Sequence, residues 1–333
     1  MKATVYIDSL KQSDLDISHQ FDRSMTAIGL TERAKSLRTV FIKPNLTYPV
    51  YKKGVTTRVE FVRALTEALL RVNPKLKVFI GEGEGGYNSY SMSAAMGAMG
   101  FTNIAKDHSQ VEVVNLSKVP TIAVELKTHK GPYGIHLPEM FFKEIDCSIS
   151  CPLPKIHGMT TLTLSLKNLW GCLPDVMRLK NHYMLPHILS NIQKLLKFEY
   201  AFLDGKYGLD KNGPMDGEVV EVNWFAASNS LGAFDATVAD LMGFEWGSIP
   251  YLRIAAQYGL IPPKSEIEVI GRPDPLRRKF HLKRGFWHYP ALAAFGSKNL
   301  TQFFYLSKYA DVMHDIMYTF RKRPISLPND KET

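Results

Sequence analysis

Three cysteines in 333 residues are too few for a disulfide scaffold, and their placement excludes the common metal clusters. Cys147 and Cys151 stand at C-x3-C spacing with Cys172 beyond, which matches neither a zinc ribbon nor a ferredoxin-type site. They read as small buried hydrophobes, no iron–sulfur cluster is expected, and a cytoplasmic location is the default. No apolar run reaches the roughly 18 to 20 residues that a membrane span needs. The opening MKATVYIDSL has no apolar signal core and reads as a first strand. GEGEGG (81–86) lacks the spacing of a dinucleotide fingerprint and of a P-loop. There is no internal repeat, and no nucleic-acid-binding motif, which argues against nucleic acid as a partner.

What the chain does have is ordinary globular composition, 45% apolar and 22% charged, with an excess of positive charge, formally +9. Such a balance suits an anionic partner: a small anionic metabolite first, or an anionic membrane surface met by the basic, aromatic RRKFHLKRGFWH (277–288). A homo-oligomer stays open.

Strand and helix patterns alternate. Strands are expected at 4–8, 39–46, 77–83, 111–117, 121–126, 145–154, 200–205, 218–228 and 266–271. Helical spacing marks 59–73, 91–100, 185–198, 234–243 and 249–260. The alternation predicts an α/β fold with a largely parallel sheet flanked by helices. Residues 1–274 form the expected body, and 275–333 a basic, aromatic, helical C-terminal extension.

Ligands of such sheets gather beyond the carboxyl ends of strands, where several candidate residues fall. In IKPNL (42–46), Lys43 and Asn45 offer a cation and an amide at a strand end. In GVTTR (54–58), Thr56 or Thr57 is the expected cap of the following helix, with Glu60 completing a capping box, and Arg58 suits an anion. Glu82 and Glu84 could hold a hydroxyl or a divalent cation, and Asp204 in FLDG stands at a later strand end. The densest group is PKIHGMTTLTLSLKNLWG (154–171). Lys155 and His157 are two apart and share one face of an extended segment, with Lys167 and Asn168 following and His182 and His187 beyond. Lysines and histidines so concentrated predict an electropositive pocket with an acid/base or metal-binding histidine.

In order, FIKPNL, GVTTR, KVFIGEGEGG, DCSISCPLPKIHGMTTLTLSLKNLWG, His187, AFLDG, NGPMDGE and AFDATVADLMG resemble the prokaryotic "domain of unknown function 362" family over about 38–272. The chain lacks the cysteine clusters of some members of that family. A more distant pattern, Thr-Thr-Arg before a helix and then His-x9-Lys and another His, is similar to the N-terminal region of the lactate racemase family. Those enzymes carry a nickel-pincer nucleotide tethered to a lysine. The resemblance would match His157 to the histidine before the tether, Lys167 to the tether, and His187 or His182 to the metal ligand. VVNLSK (113–118) stands where that family's Asp-His-Asp would lie.

The resulting expectation is an enzyme, an isomerase, epimerase or transferase acting on a carboxylate or phosphate. His157 and Lys167 would move protons. Lys43, Asn45, Thr57, Arg58, Glu82, Glu84, Lys155, Asn168 and Asp204 would bind substrate, and His187 a metal. Two other classes stay open: a non-catalytic metabolite-binding or scaffold protein, and a peripheral membrane enzyme acting on a lipid-linked anion.

Overall fold

The structure, a computed structural model, describes residues 2–313 apart from 12, 13, 86–89, 287 and 311. In chain order its elements begin with β1 (Ala3–Ser9), α1 (Asp14–Ala27), α2 (Leu30–Ser36), β2 (Thr39–Pro44), α3 (Val59–Val72) and β3 (Lys77–Glu82). Then come α4 (Met92–Ala98), α5 (Phe101–Asp107), β4 (Val111–Asn115), a hairpin of β5 (Thr121–Thr128) and β6 (Gly131–Pro138), and α6 (Met140–Lys143). The central segment holds β7 (Cys147–Cys151), β8 (Lys155–His157), β9 (Thr161–Thr163) and α7 (Ser165–Asn168). After two 3-10 turns follow α8 (Leu185–Leu195), β10 (Phe198–Asp210), β11 (Glu218–Ser228), α9 (Leu231–Leu241), α10 (Pro250–Gln257), β12 (Ile267–Gly271), α11 (His288–Gly296) and α12 (Lys298–Leu306).

The main sheet runs β12-β1-β11-β10-β7-β2-β3-β4. Every pairing along it is parallel except the two that β11 makes with β1 and β10. This is the α/β architecture that the alternating pattern predicts. Its strands are near-continuous apolar runs because helices cover both faces. In β2, Val40 and Ile42 point to one core and Phe41 to the other, all buried. Each such side chain contributes about 1.5–3 kcal/mol by leaving water. The first core takes the inner sides of α1 to α5, the second those of α6 to α10.

Strand β7, CSISC, shows how polar residues survive here. Cys147, Ile149 and Cys151 face the first core, while Ser148 and Ser150 face the other side. Their hydroxyls donate to Leu196 O at 2.6 Å and Ser165 O at 3.2 Å. All three cysteines are buried, as expected, and burial pushes the Cys172 thiol up to about 12.

Several expectations need correction. Helices α1 and α2 fall where no helix is expected, because α1 carries few apolar residues; among its described side chains Phe21 and Met25 are buried in the core and Ile17 packs against it. The helix expected over 91–100 is α4, and an unexpected second helix, α5, follows it after Gly100, whose φ of 87° is left-handed. Strand β10 extends five residues past the expected end at 205, and its far end pairs with β8. Strand β6, where no strand is expected, carries Gly131, Pro132, Gly134 and Pro138, residues depleted in strands, and forms a separate two-stranded sheet with β5.

Candidate active site

The chain runs from β2 outward to β3 and β4, then returns to place β7 on the other side of β2. The order of strands therefore reverses between β2 and β7, and open α/β sheets bind ligands at such a reversal, beyond the strands' carboxyl ends. Lys43, Asn45, Glu82 and Cys151 lie at those ends, and β8, β9 and α7 fold over them.

Lys43 is fully buried and ion-pairs with Glu82. Its amine also donates to Pro44 O at 2.7 Å. Glu82 accepts further bonds from Leu46 N at 3.2 Å and Gly83 N at 3.1 Å. Asn45 and Asn168 join across the reversal, Asn45 Nδ2 donating to Asn168 Oδ1 at 3.1 Å. Asn168 Nδ2 in turn reaches Lys43 O at 3.0 Å and Ser150 Oγ at 3.1 Å. Two glycines allow this closeness, Gly83 N donating to Gly171 O at 2.9 Å. A Cβ on Gly171 would fall 1.9 Å from Glu82 Oε1, and one on Gly83 would fall 2.7 Å from Gly171 O.

The β8–β9 hairpin pairs Lys155 with Thr163 and His157 with Thr161, so these four side chains share one face. Lys155 is fully buried, and its ammonium is fully engaged, by Asn45 Oδ1 at 2.8 Å, Val55 O at 2.9 Å and Thr47 Oγ1 at 3.0 Å. Thr161 sits at φ 70°, a left-handed conformation that a β-branched residue adopts only under strain.

Lys167 differs. It is 8% exposed, yet among the described residues its amine makes no hydrogen bond or ion pair. It lies 5.9 Å from the centre of the Trp170 ring. Two further buried polar atoms of the same segment, Trp170 Nε1 and Thr163 Oγ1, also have no partner. Burial, then the charge of Arg178, lowers Lys167 to about 7, and burial, then the charge of Lys167, lowers Lys155 to about 7.

Two histidines complete the group. His157 Nδ1 accepts from Met159 N at 3.1 Å, which leaves the proton of the neutral ring on Nε2. His182 Nδ1 donates to Leu179 O at 3.0 Å, which leaves Nε2 with a free lone pair. His182 packs edge-on against Trp170 at 5.0 Å. Burial and the charge of Lys167 hold His157 well below its ordinary value and bring His182 down to about 3. Both rings are therefore neutral near pH 7, one a donor and the other an acceptor.

The C-terminal extension roofs this cluster. Phe295 of α11 stacks on His182 at 4.2 Å, and Arg284 Nε donates to Gly158 O at 2.8 Å. Two open surface clefts lie elsewhere, one where 211–218 meets 283–285 and the other beside Trp224 and Arg277.

Residues 40–240 match the family described as a domain of unknown function (DUF362). The chain belongs to that family. A stretch of 131 residues of this DUF362 chain is 30% identical to the "thylakoid-associated protein" of Synechocystis, covering 37% of the chain and 41% of that relative. The match thus spans well under half of the curated protein. Among solved structures, the chain is similar to the lactate racemase apoprotein from Thermoanaerobacterium thermosaccharolyticum, at 14% identity and TM-score 0.49. That match covers 73% of this chain and 57% of the other. A protein from Thermotoga maritima matches at 11% identity and TM-score 0.37, over 63% and 53% of the two chains.

Not every residue singled out from the sequence of this DUF362 protein joins the cluster. Asp204 and Arg58 are bound to each other, Nη2 to Oδ1 at 2.6 Å. Asp204 also accepts Arg58 N at 2.8 Å, so the start of α3 is capped by this distant carboxylate. Thr57 is not the cap, because its hydroxyl accepts from Asn45 N and donates to Cys151 O, both at 2.8 Å, and Thr56 bonds Lys52 instead. Glu84 accepts from Asn115 Nδ2 at 2.8 Å, at the cluster's margin. His187 turns away, its Nδ1 3.0 Å from Tyr258 Oη and its ring against His129. Among the described residues no three His, Cys, Asp or Glu side chains gather as a metal site. Of the two histidines matched to a nickel ligand, the fold brings His182, not His187, to Lys167.

The residue missed from sequence is Arg178. It reaches back to Leu173 O at 3.1 Å, Gly83 O at 3.3 Å and the Glu84 carbonyl, tying the glycine turn to the 3-10 segment. A lone arginine in DVMRLKN carries no local signal. Asp235 is structural, accepting Ser165 N at 2.8 Å, Ser165 Oγ at 2.6 Å and Leu166 N at 3.1 Å, and so fixes the start of α7. Burial pushes it up to about 7 against those three donors.

Proposed function

We propose that this protein is an enzyme that binds a small anionic metabolite, bearing a carboxylate or a phosphate, against Lys167, and carries out proton transfer on it. The observation that carries the reading is the Lys167 amine, on a side chain only 8% exposed and without a hydrogen-bond or ion-pair partner among the described residues. Lys43, Lys155, Lys167 and Arg178 bring four cationic groups to a cluster in which Glu82 is the carboxylate. That excess is what an anionic ligand would neutralise, and the bare Trp170 and Thr163 donors are suited to its oxygens.

In this reading Lys155 and the Asn45–Asn168 pair keep the floor of the site rigid. The Lys43–Glu82 ion pair and the Arg58–Asp204 pair support it from behind, rather than touching substrate. An amine lowered to about 7 is present in both protonation states near neutral pH, which suits general acid/base work. His157 donates from Nε2 to the substrate, and His182 accepts at Nε2. No step is routed through the nickel-pincer group of the racemase resemblance, of whose matched residues the fold gathers His157, Lys167 and His182 but not His187.

Incubation with a panel of hydroxy acids, amino acids and sugar phosphates in deuterium oxide, followed by NMR, tests the reading. It requires loss of a carbon-bound proton signal from one substrate, abolished in Lys167→Met. Binding without exchange would leave a metabolite-binding protein and remove the enzymatic half of the proposal.

A further inference from the structure

Among the described residues, eleven large hydrophobic side chains are exposed, and seven of them fall between 286 and 312. Phe286, Tyr289, Phe303, Leu306, Tyr309 and Val312 are 75%, 61%, 46%, 54%, 53% and 60% exposed. Helix α12 shows that this is no accident of a loose end. Thr301 is buried, and Phe304 and Tyr305 are half-buried on the inner side against the body. Leu300, Phe303 and Leu306 recur at three-residue intervals on the opposite side. The helix is thus apolar on two faces, and packing on the body satisfies one of them.

The charge of the same stretch identifies the occupant. From 277 to 310 the chain carries seven lysines and arginines and neither aspartate nor glutamate, so most of the formal +9 of the whole chain sits here. Lys279, Lys283, Lys298 and Lys308 are exposed around the apolar side chains. Exposed Phe, Tyr and Leu within a one-sign basic field match an anionic bilayer surface. The rings and Leu side chains enter the headgroup boundary, and the cations meet lipid phosphates. A soluble protein partner or a second copy of this chain would bring its own balancing acids to the rim, and a second copy has none to offer in this stretch.

We infer that α11, α12 and the preceding basic loop form a peripheral docking surface for anionic membranes. The inference stands apart from the proposed chemistry, because the exposed face points away from the lysine cluster that α11 roofs.

Flotation of the full chain with phosphatidylcholine vesicles, with and without a third of phosphatidylglycerol, tests it. Binding is expected to the anionic vesicles alone, to fall at least tenfold in high salt, and to fall at least tenfold in Phe303→Ser/Leu306→Ser. A charge variant, Lys298→Glu/Lys308→Glu, should lose binding similarly. Unchanged thermal unfolding of both variants separates lost docking from lost folding. Equal binding to neutral and anionic vesicles, no binding to either, or a concentration-dependent dimer that hides Phe303 and Leu306 would overturn the inference.

Discussion

Replacing Lys167 by methionine should make the protein more stable and functionless. Lys155 and Lys167 are both buried and both lowered to about 7, but their surroundings differ. Three acceptors surround the Lys155 ammonium, whereas among the described residues none meets that of Lys167. Below about pH 7 the folded protein must hold the unpaired Lys167 charge, which the unfolded chain leaves in water. A lowering from 10.5 to about 7 corresponds to an upper bound of roughly 5 kcal/mol, at about 1.4 kcal/mol per unit. Part of this is shared with Lys155 and Arg178, and apolar replacement of buried charge typically stabilises by about 1–4 kcal/mol. An increase of about 2–3 kcal/mol is therefore expected. The sign with pH follows. Between about 7 and 10.5 the unfolded chain binds more protons than the folded one, so the parent's stability rises with pH across that window. The advantage of Lys167→Met should be full below pH 7 and fade towards pH 10. Urea unfolding of parent and variant at several pH values measures it. Lys155→Met is the control. It strands three acceptors and should destabilise by about 2 kcal/mol or more. If Lys167→Met were no more stable than the parent at low pH, or if its effect matched that of Lys155→Met, the reading of an unpartnered amine would be wrong.

Other predictions follow from the same geometry. Glu82→Gln removes the carboxylate from buried Lys43 and should lower stability by about 3–5 kcal/mol in urea unfolding. Gly171→Ala drives a methyl into Glu82 and should cost at least about 2 kcal/mol and abolish ligand binding, whereas Gly97→Ala, where a Cβ meets nothing, should fold normally. Thr161→Gly relieves the left-handed backbone at φ 70° and should stabilise by about 1 kcal/mol while loosening the hairpin that carries His157, seen as faster amide exchange there.

The architecture could be read from the chain because period and composition act locally. FVRALTEALL repeats its apolar residues at helical spacing, and KVFIGE is a strand whichever way it is packed. The two lysines, the histidine and the asparagine of 154–171 stand out because polar and charged residues among buried ones need a reason. Their partners were not legible. That Asp204 caps α3 across 146 residues, and that Thr57 bonds Cys151 rather than its own helix, follow from strand order. His182 and His187 look alike in sequence. The 3-10 turn at Arg178–Met184 sends one towards Trp170 and the other, on α8, towards Tyr258. Arg178 escaped because its role depends on a backbone turn about 95 residues earlier.

The central claim, that Lys167 awaits an anion, is tested most directly by titrating the purified protein with sulfate in a calorimeter at about pH 6 and about pH 9. Sulfate keeps its charge over that range, so any change in affinity belongs to the protein. Saturable one-site binding at the lower pH, at least tenfold weaker at the higher and absent in Lys167→Met, is the expected result. Binding that is independent of pH, or that survives intact in Lys167→Met, would contradict it.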